Sequence, residues 1–419
     1  MRIAIVTEVF LPKIDGVVNR TLNLIKHLSE RGDEVLVVCP EADVQIDCSV
    51  PVVTFRSFPF PSYPEYRIGL PDARLADAIR SFAPDIVHYV NPFAFGFRCY
   101  DLLEKVLPDL PSLFSFHTLY GEFVRRYGLL RPLGGVLWWL MREYHNCASS
   151  NLTVSSPMRD ELERRGFERV GCWPPAVDSE LFHPEQRNLE LRSRLSNGRP
   201  DRPLLLTVSR LAPEKNVEFL ADIMARIPDA GLAIVGDGPQ RAALERRFAG
   251  LNTTFVGYLR GRELAQAYAS SDLFVYASET ETMGNVVLEA MAAGRAVVAP
   301  AAGGIPSLIR HGETGMLFAP GDLDAAAGHV RKLLDAPDER GRVEAAARRD
   351  VEGRSWRASI SGVRECYEQT IASHAATRPA KPRRRRLARA VVSSLVFAFR
   401  SVAAGAPRRN ARRRPAPTG

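Results

Sequence analysis

The chain is poor in cysteine. Its 419 residues include six, Cys39, Cys48, Cys99, Cys147, Cys172 and Cys366, scattered without CxxC or Cys/His spacing. That pattern argues against a zinc site and against a dense disulfide framework, and a reducing compartment fits best. Long apolar runs are missing as well. No stretch reaches the roughly 18–20 uncharged apolar residues that a membrane-spanning helix needs. The N-terminus, MRIAIVTEVFLP, enters strand-like alternation directly, with no long apolar segment and small-residue cleavage site after it, so no export signal is expected there. Acidic residues are absent from one region. Residues 371–419 hold 13 of the 56 Lys and Arg and no Asp or Glu, so the net charge of +8 belongs to the tail, while the first 370 residues are slightly acidic.

What is present is an ordinary soluble composition, 46% hydrophobic and 25% charged, in a chain too long for one typical core. Strand-like apolar runs alternate with helical patterns twice over, the mark of parallel βαβ units. The first series holds RIAIVTE, a helix over Gly16–Arg31 with Gly32 as its stop, DEVLVVCP, PDIVHYV, PSLFSFH and NLTVSS. The second begins at Pro203 with PLLLTVSR and continues through AGLAIVGDG, TTFVGYL, LFVYAS and AVVAP. Between them WPPAVDSELFHPEQ, rich in Pro and poor in periodicity, reads as a linker near residues 175–200. The expected fold class is therefore α/β, with two Rossmann-like doubly wound domains facing a central cleft, residues 1–185 and 186–354. A last helix at about 355–370 is expected to pack back on the first domain, followed by a basic, partly amphipathic tail, residues 371–419. In such sheets ligands sit beyond the carboxyl ends of the strands.

Several residues fall in those loops. PLLLTVSR delivers Arg210 at a strand end, with Lys215 five residues on. A planar fork and a point charge suit a diphosphate, although two surface cations would look the same. AIVGDGPQ puts Gly236, Asp237 and Gly238 on a strand-to-helix turn, where glycines admit close approach of a ligand or simply form the turn. In SETETMGNVVLEAMAAG, Glu281 precedes Met283, Gly284 and Asn285 at a helix start, and Glu289 follows within that helix. Helix N-terminal amides bind anions, and the carboxylates can accept hydrogen bonds from sugar and ribose hydroxyls. PAAGGIPSLIRHGETG adds Gly303 and Gly304 after a further strand.

Taken in order, SRLAPEK, VGDGP, the Glu281-x7-Glu289 segment, AAGGIP and HGETGMLFAPGD resemble the large retaining GT-B family of glycosyltransferases called family 4. The body of about 370 residues matches in layout. Within the family, LSNGRPDRPLLLTVSRLAPEKN and ELAQAYASSDLFVYASETET are most similar to bacterial GDP-mannose-dependent α-mannosyltransferases acting on glycolipids and to sulfoquinovosyl-diacylglycerol synthases. The resemblance implies that Arg210 and Lys215 hold the donor diphosphate. It implies that Glu281 contacts the transferred sugar with amides near Met283 and Gly284, and that Glu289 accepts from the ribose. It further implies that Gly16 approaches the phosphate and that His117, in SFHTLY, lines the acceptor side near the anomeric carbon. Asp15-Gly16 replaces the family's usual double glycine, and Met283-Gly284 its commoner small-aromatic-Gly step.

The implied chemistry is retaining hexosyl transfer, most simply of mannose from GDP-mannose to a membrane lipid or glycolipid. UDP-linked sulfoquinovosyl or glucosyl transfer to diacylglycerol is the alternative, and a nonenzymatic membrane binder a more distant one. No metal and no cofactor are expected. The cleft motifs carry no DxD-type pair on a strand end, and two cations supply the neutralisation a divalent ion would give. His88, at a similar strand end to His117, reads as packing. Tyr127–Trp139, with Arg125, Arg126 and Arg131 nearby, is an apolar patch that suits lipid docking or an internal helix. In the tail, Arg383–Arg386 precede LARAVVSSLVFAFRSVAAGA, with Arg389, Ser393 and Arg400 along one face. Packed structure is expected to end near Ala376, and the tail to lie on an anionic membrane surface or extend unbound. A nucleic-acid partner is not expected, because the arginines lack interleaved aromatics. The expected location is cytoplasmic, at the inner face of the cell membrane.

Overall fold

Strands covered on both faces need near-continuous apolar runs, and runs such as Ile3–Val6 and Leu204–Leu206 lie at the centres of two parallel sheets. The computed structural model describes residues 1–13, 15–41, 46, 48–60, 63–118, 134–377 and 385–405. The first sheet is built from β1 (Arg2–Thr7), β2 (Glu34–Pro40) and β3 (Val52–Phe55), while β4 (Ser57–Phe60) and β5 (Tyr63–Gly69) form a separate antiparallel hairpin. It continues with β6 (Ile86–Val90), β7 (Ser112–Phe116), β8 (Ser150–Thr153) and β9 (Val170–Cys172), in the order β3-β2-β1-β6-β7-β8-β9. The second holds β10 (Leu204–Val208), β11 (Gly231–Val235), β12 (Thr253–Gly257), β13 (Leu273–Val275), β14 (Ala296–Pro300) and β15 (Met316–Phe318), ordered β12-β11-β10-β13-β14-β15. In both sheets the order reverses beside the first strand, and a crevice opens at that switch point.

The first helix, Gly16–Glu30, turns Val18, Leu24, Ile25 and Leu28 inward. Gly32 ends it at φ +81°, a backbone that favours glycine. The chain crosses to the second sheet through residues 173–178 and returns through residues 353–356. These two crossings are tied together, because the Val177 amide donates to the Arg354 carbonyl at 2.9 Å. The returning helix, Trp356–Thr377, lies against the first helix and sends Ile360, Val363 and Tyr367 into the core with Ile3, Ile5 and Trp173.

Two expectations need correction. The linker read near residues 175–200 is packed over much of its length: Val177, Phe182, Leu191 and Leu195 join the second core, the last two from a helix at Leu189–Leu195. Seven residues with two core contacts are too few to show helical periodicity. Packing also does not end near Ala376. A helix at Arg385–Gly405 docks on the first domain with Ala388, Val392 and Val396 buried, and Arg389 reaches Asp101 at 2.6 Å and Glu104 at 2.9 Å. The arginine-rich composition obscures, in the sequence, a three-residue apolar stripe that is covered by protein. Leu387 and Phe397 face outward. Of the patch at Tyr127–Trp139, the residues up to 133, with Arg125, Arg126 and Arg131, lie outside the described residues, as do Arg383 and Arg384. Trp138 is buried and stacks on Phe116 at 5.9 Å, so it belongs to the core.

Candidate active site

β10 ends at Val208, and the short 3-10 turn Pro213–Lys215 after it directs Lys215 toward the loop that follows β13. There Lys215 Nζ donates to Glu281 Oε1, and the Tyr276 hydroxyl donates to the same oxygen at 2.7 Å. Burial pushes the Glu281 carboxyl up. The Lys215 charge and the hydrogen bonds from Lys215, Tyr276 and Ser278 outweigh it and hold the group below the usual carboxylate value. Glu281 therefore stays an anion, able to accept from a hydroxyl, with Lys215 Nζ against one of its oxygens. Arg210, one turn away, lies 3.8 Å from Glu214.

The helix Asn285–Ala292 begins at Gly284, which sits at φ +91° with no side-chain cap, the kind of helix end that can receive an anion. Glycines fix this loop by letting backbone approach backbone. A Cβ on Gly303 would lie 2.1 Å from the Glu281 carbonyl, and one on Gly236 would lie 1.9 Å from the Ser209 carbonyl. Each glycine thus lets a neighbouring turn press against the loop that carries a charged residue, Glu281 or Arg210, and the Gly304 amide bonds the Glu281 carbonyl at 2.8 Å. Gly238 does the same against Leu211. Asp237 is engaged locally, by the Gly238 amide at 2.7 Å and Arg241 at 3.0 Å.

Glu289 lies within the same helix and accepts from the Tyr268 hydroxyl at 2.8 Å. Burial pushes its carboxyl up to about 7, with the Tyr268 bond pulling the other way.

The first domain closes the site from the other side. The Thr282 hydroxyl donates to the His117 carbonyl at 2.8 Å, and the Ser155 hydroxyl donates to the Thr282 carbonyl at 2.8 Å. A Cβ on Gly16 would stand 3.1 Å from the Asn285 side-chain Nδ2, so the starts of the two helices lie close together there. The first helix, however, is already capped. Asp15 Oδ1 accepts from the Val17 and Val18 amides at 3.0 Å each, occupying donors that a phosphate would use. His117 itself is buried after β7, with Nε2 2.9 Å from Ser115 Oγ and its ring edge-on to Trp173 at 5.4 Å. Burial, then the nearby Arg20 and His88, hold it well below the usual histidine value, and it is neutral.

The sequence reading missed Arg20. This buried guanidinium stacks on Trp173 at 4.3 Å, donates to the Trp173 and Pro174 carbonyls at 2.8 Å, and reaches the Met283 sulfur at 2.8 Å. It joins the first helix, the crossing strand and the Glu281 loop. Tyr276, Tyr268, Ser155 and Thr282 were missed too. The partners of Tyr268, Ser155 and Thr282 are remote in sequence, and although Tyr276 lies five residues from Glu281, only an aromatic at the end of LFVYAS hinted at it. Among the described residues, no group of three or more His, Cys, Asp or Glu side chains is placed to hold a metal ion.

Two doubly wound sheets whose carboxyl-end loops meet across a cleft, with a lysine–glutamate pair beside an uncapped helix N-terminus, define a GT-B glycosyltransferase. The family description Glycosyltransferase Family 4 matches residues 14–181, and Glycosyl transferases group 1 matches residues 202–336. The chain belongs to glycosyltransferase family 4. Sulfoquinovosyl transferase SQD2 of Arabidopsis thaliana is 38% identical over 370 residues, covering 85% of this chain and 71% of that protein. A GDP-mannose-dependent alpha-mannosyltransferase of Mycobacterium tuberculosis is 36% identical over 368 residues, covering 85% and 93%. Among solved structures, sucrose-phosphate synthase from Thermosynechococcus elongatus shares the fold at a TM-score of 0.71 with 22% identity, over 89% of this chain and 99% of that one. Anabaena HepE in complex with UDP-glucose does so at 0.71 with 20% identity, over 88% and 100%.

Proposed function

We propose that this glycosyltransferase moves a mannosyl residue from GDP-mannose to a membrane lipid or glycolipid, with retention at the anomeric carbon and without a metal ion. The observation that carries the reading is the contact of Lys215 with Glu281 beside the open end of the helix Asn285–Ala292. An entering diphosphate competes with Glu281 for the Lys215 ammonium. The carboxylate released from that pair then turns to hydroxyls of the transferred sugar. Lys215, Arg210 and the helix end together stabilise the charge that grows on the departing phosphate, which is the duty a divalent ion would otherwise perform. His117 lines the opposite wall, and Glu289 takes the ribose. The relatives that act on lipids or carry GDP-mannose in their names support the donor and acceptor classes.

A UDP-linked sugar is the second reading, favoured by the 38% identity to the sulfoquinovosyl transferase. The tail supports attachment to an anionic surface from the cytoplasmic side. It is rich in arginine, and Leu387 and Phe397 face outward. Among the described residues, no helix is long and apolar enough to cross a membrane.

The test combines two measurements. Thermal shift against GDP-, UDP- and ADP-sugars should show the largest stabilisation with GDP-mannose, and a UDP-sugar leading the set would select the second reading. Lys215→Ala should abolish transfer while leaving the melting temperature within a few degrees of the parent, and full activity in that variant would sink the assignment.

A further inference from the structure

His117 is the end of a buried chain of hydrogen bonds that starts on the returning helix. Tyr367 lies in that helix, fully buried, with its hydroxyl 2.7 Å from His88 Nδ1. His88 Nε2 stands 2.8 Å from Ser115 Oγ, and the same Oγ stands 2.9 Å from His117 Nε2. His88 and Ser115 are fully buried and His117 nearly so. The three elements involved, β6, β7 and the returning helix, belong to the first domain's core.

The direction of the protons along this chain follows from its closed end. A tyrosine hydroxyl carries one hydrogen, and a buried hydroxyl that donates to nothing leaves its full desolvation cost uncompensated. His88 is the Tyr367 hydroxyl's hydrogen-bond partner in the structure, so the hydroxyl donates to His88 Nδ1. A neutral imidazole accepting at Nδ1 carries its hydrogen on Nε2, and His88 is neutral, since burial holds its ring down to about 3. His88 Nε2–H therefore donates to Ser115 Oγ. The single hydrogen of that serine is left for His117 Nε2. His117, accepting at Nε2, bears its hydrogen on Nδ1.

We infer that Tyr367, acting through His88 and Ser115, is a positioning residue that holds His117 as the Nδ1–H tautomer, so that the ring offers the cleft a hydrogen-bond donor and not a base. The functional consequence rests on His117 touching substrate, as proposed above. The tautomer does not. The donor nitrogen suits an oxygen of the sugar or of the acceptor, and the proton of an attacking hydroxyl must leave by another route. Because Tyr367 sits after the second crossing, the relay also links the cleft histidine to the segment that returns from the second domain.

Ring 1H–15N correlations on the 15N-labelled full chain test this, with the His117 signals identified as those lost in His117→Gln. The wild type should show His117 protonated at Nδ1 and His88 at Nε2. Tyr367→Phe removes the terminal donor and should let the opposite tautomer of His117 appear. Ser115→Ala, should Tyr367→Phe fold poorly, cuts the chain one link later and should do the same. A purely structural role for Tyr367 would lower the melting temperature without moving the tautomer. A wild-type His117 protonated at Nε2, or a His117 pattern indifferent to both substitutions, would overturn the inference. In the activity arm, kcat/KM should fall about fivefold in Tyr367→Phe, the scale of one hydrogen bond made less often. A tautomer shift with unchanged kcat/KM would leave the relay standing and remove His117 from the substrate-contacting set.

Discussion

At the scale of the residue, the site is a set of charges whose environments pull them in different directions. Glu281 is buried and yet held ionised by Lys215, whereas Glu289, eight residues on in the same segment, has only a tyrosine hydroxyl beside it and is raised to about 7. If Glu289 takes the ribose as proposed, its ionised form is the one that accepts from the hydroxyls. Nucleotide affinity should therefore weaken as pH falls below about 7, approaching tenfold per pH unit. Calorimetric titration of the nucleotide between pH 8 and 6 checks this against Glu289→Gln, which should bind weakly at every pH without that slope. An identical slope in both proteins would place the titrating group elsewhere. Arg210, Lys215, Glu281 and Glu289 were legible in the sequence because each follows a strand or opens a helix at a recognisable spacing. The partners that tune them were not. Tyr268 lies 21 residues from Glu289 and Ser155 lies 127 from Thr282, and no local pattern marks a contact made only when separate elements pack.

At the scale of the element, strands were easier to read than short or cationic helices. Parallel strands buried on both sides appear as uninterrupted apolar runs, which is why the central strands of both sheets stand out, and the hairpin of β4 and β5, with its interleaved prolines and polar residues, does not. The helical face over Arg389, Ser393 and Arg400 was legible, but the docking of the helix Arg385–Gly405 on the first domain was not, for a related reason. Its inward residues Ala388, Val392 and Val396 are small or β-branched and spaced four apart, and the surrounding arginines dominate the composition. Its docking is both apolar and ionic. Arg389→Glu would set a carboxylate against Asp101 and Glu104, so the helix should loosen, with a melting temperature lower by a few degrees. Deleting residues 376–419 should abolish co-sedimentation with vesicles containing anionic lipid, and retained binding would assign the membrane contact to the body of the protein. Arg389→Glu separates the two effects, since it frees the helix without removing the other arginines.

At the scale of the whole molecule, the two halves are fastened at few points, and each is chemically distinct. Across the seam the Ser155 hydroxyl donates to the Thr282 carbonyl and the Thr282 hydroxyl to the His117 carbonyl, and Arg20 fixes two carbonyls of the crossing segment and the Met283 sulfur together. Arg20→Leu would leave those buried carbonyls without their donor, a loss of about 1–3 kcal/mol for each uncompensated group. Small-angle scattering of that variant should give a larger radius of gyration without nucleotide and a return toward the parent value with it. An unchanged radius in both states would mean that the seam is held by the remaining contacts. The paired crossings have a further, mechanical meaning. A body joined to another by one chain segment can swing in any direction, but one joined by two neighbouring segments laced to each other, as Val177 is to Arg354, keeps a single easy rotation about the line the segments define. Any opening and closing of the mouth between the halves would then run as a hinge stroke with one degree of freedom, and each such stroke would return Lys215 and Glu281 to the same position opposite His117.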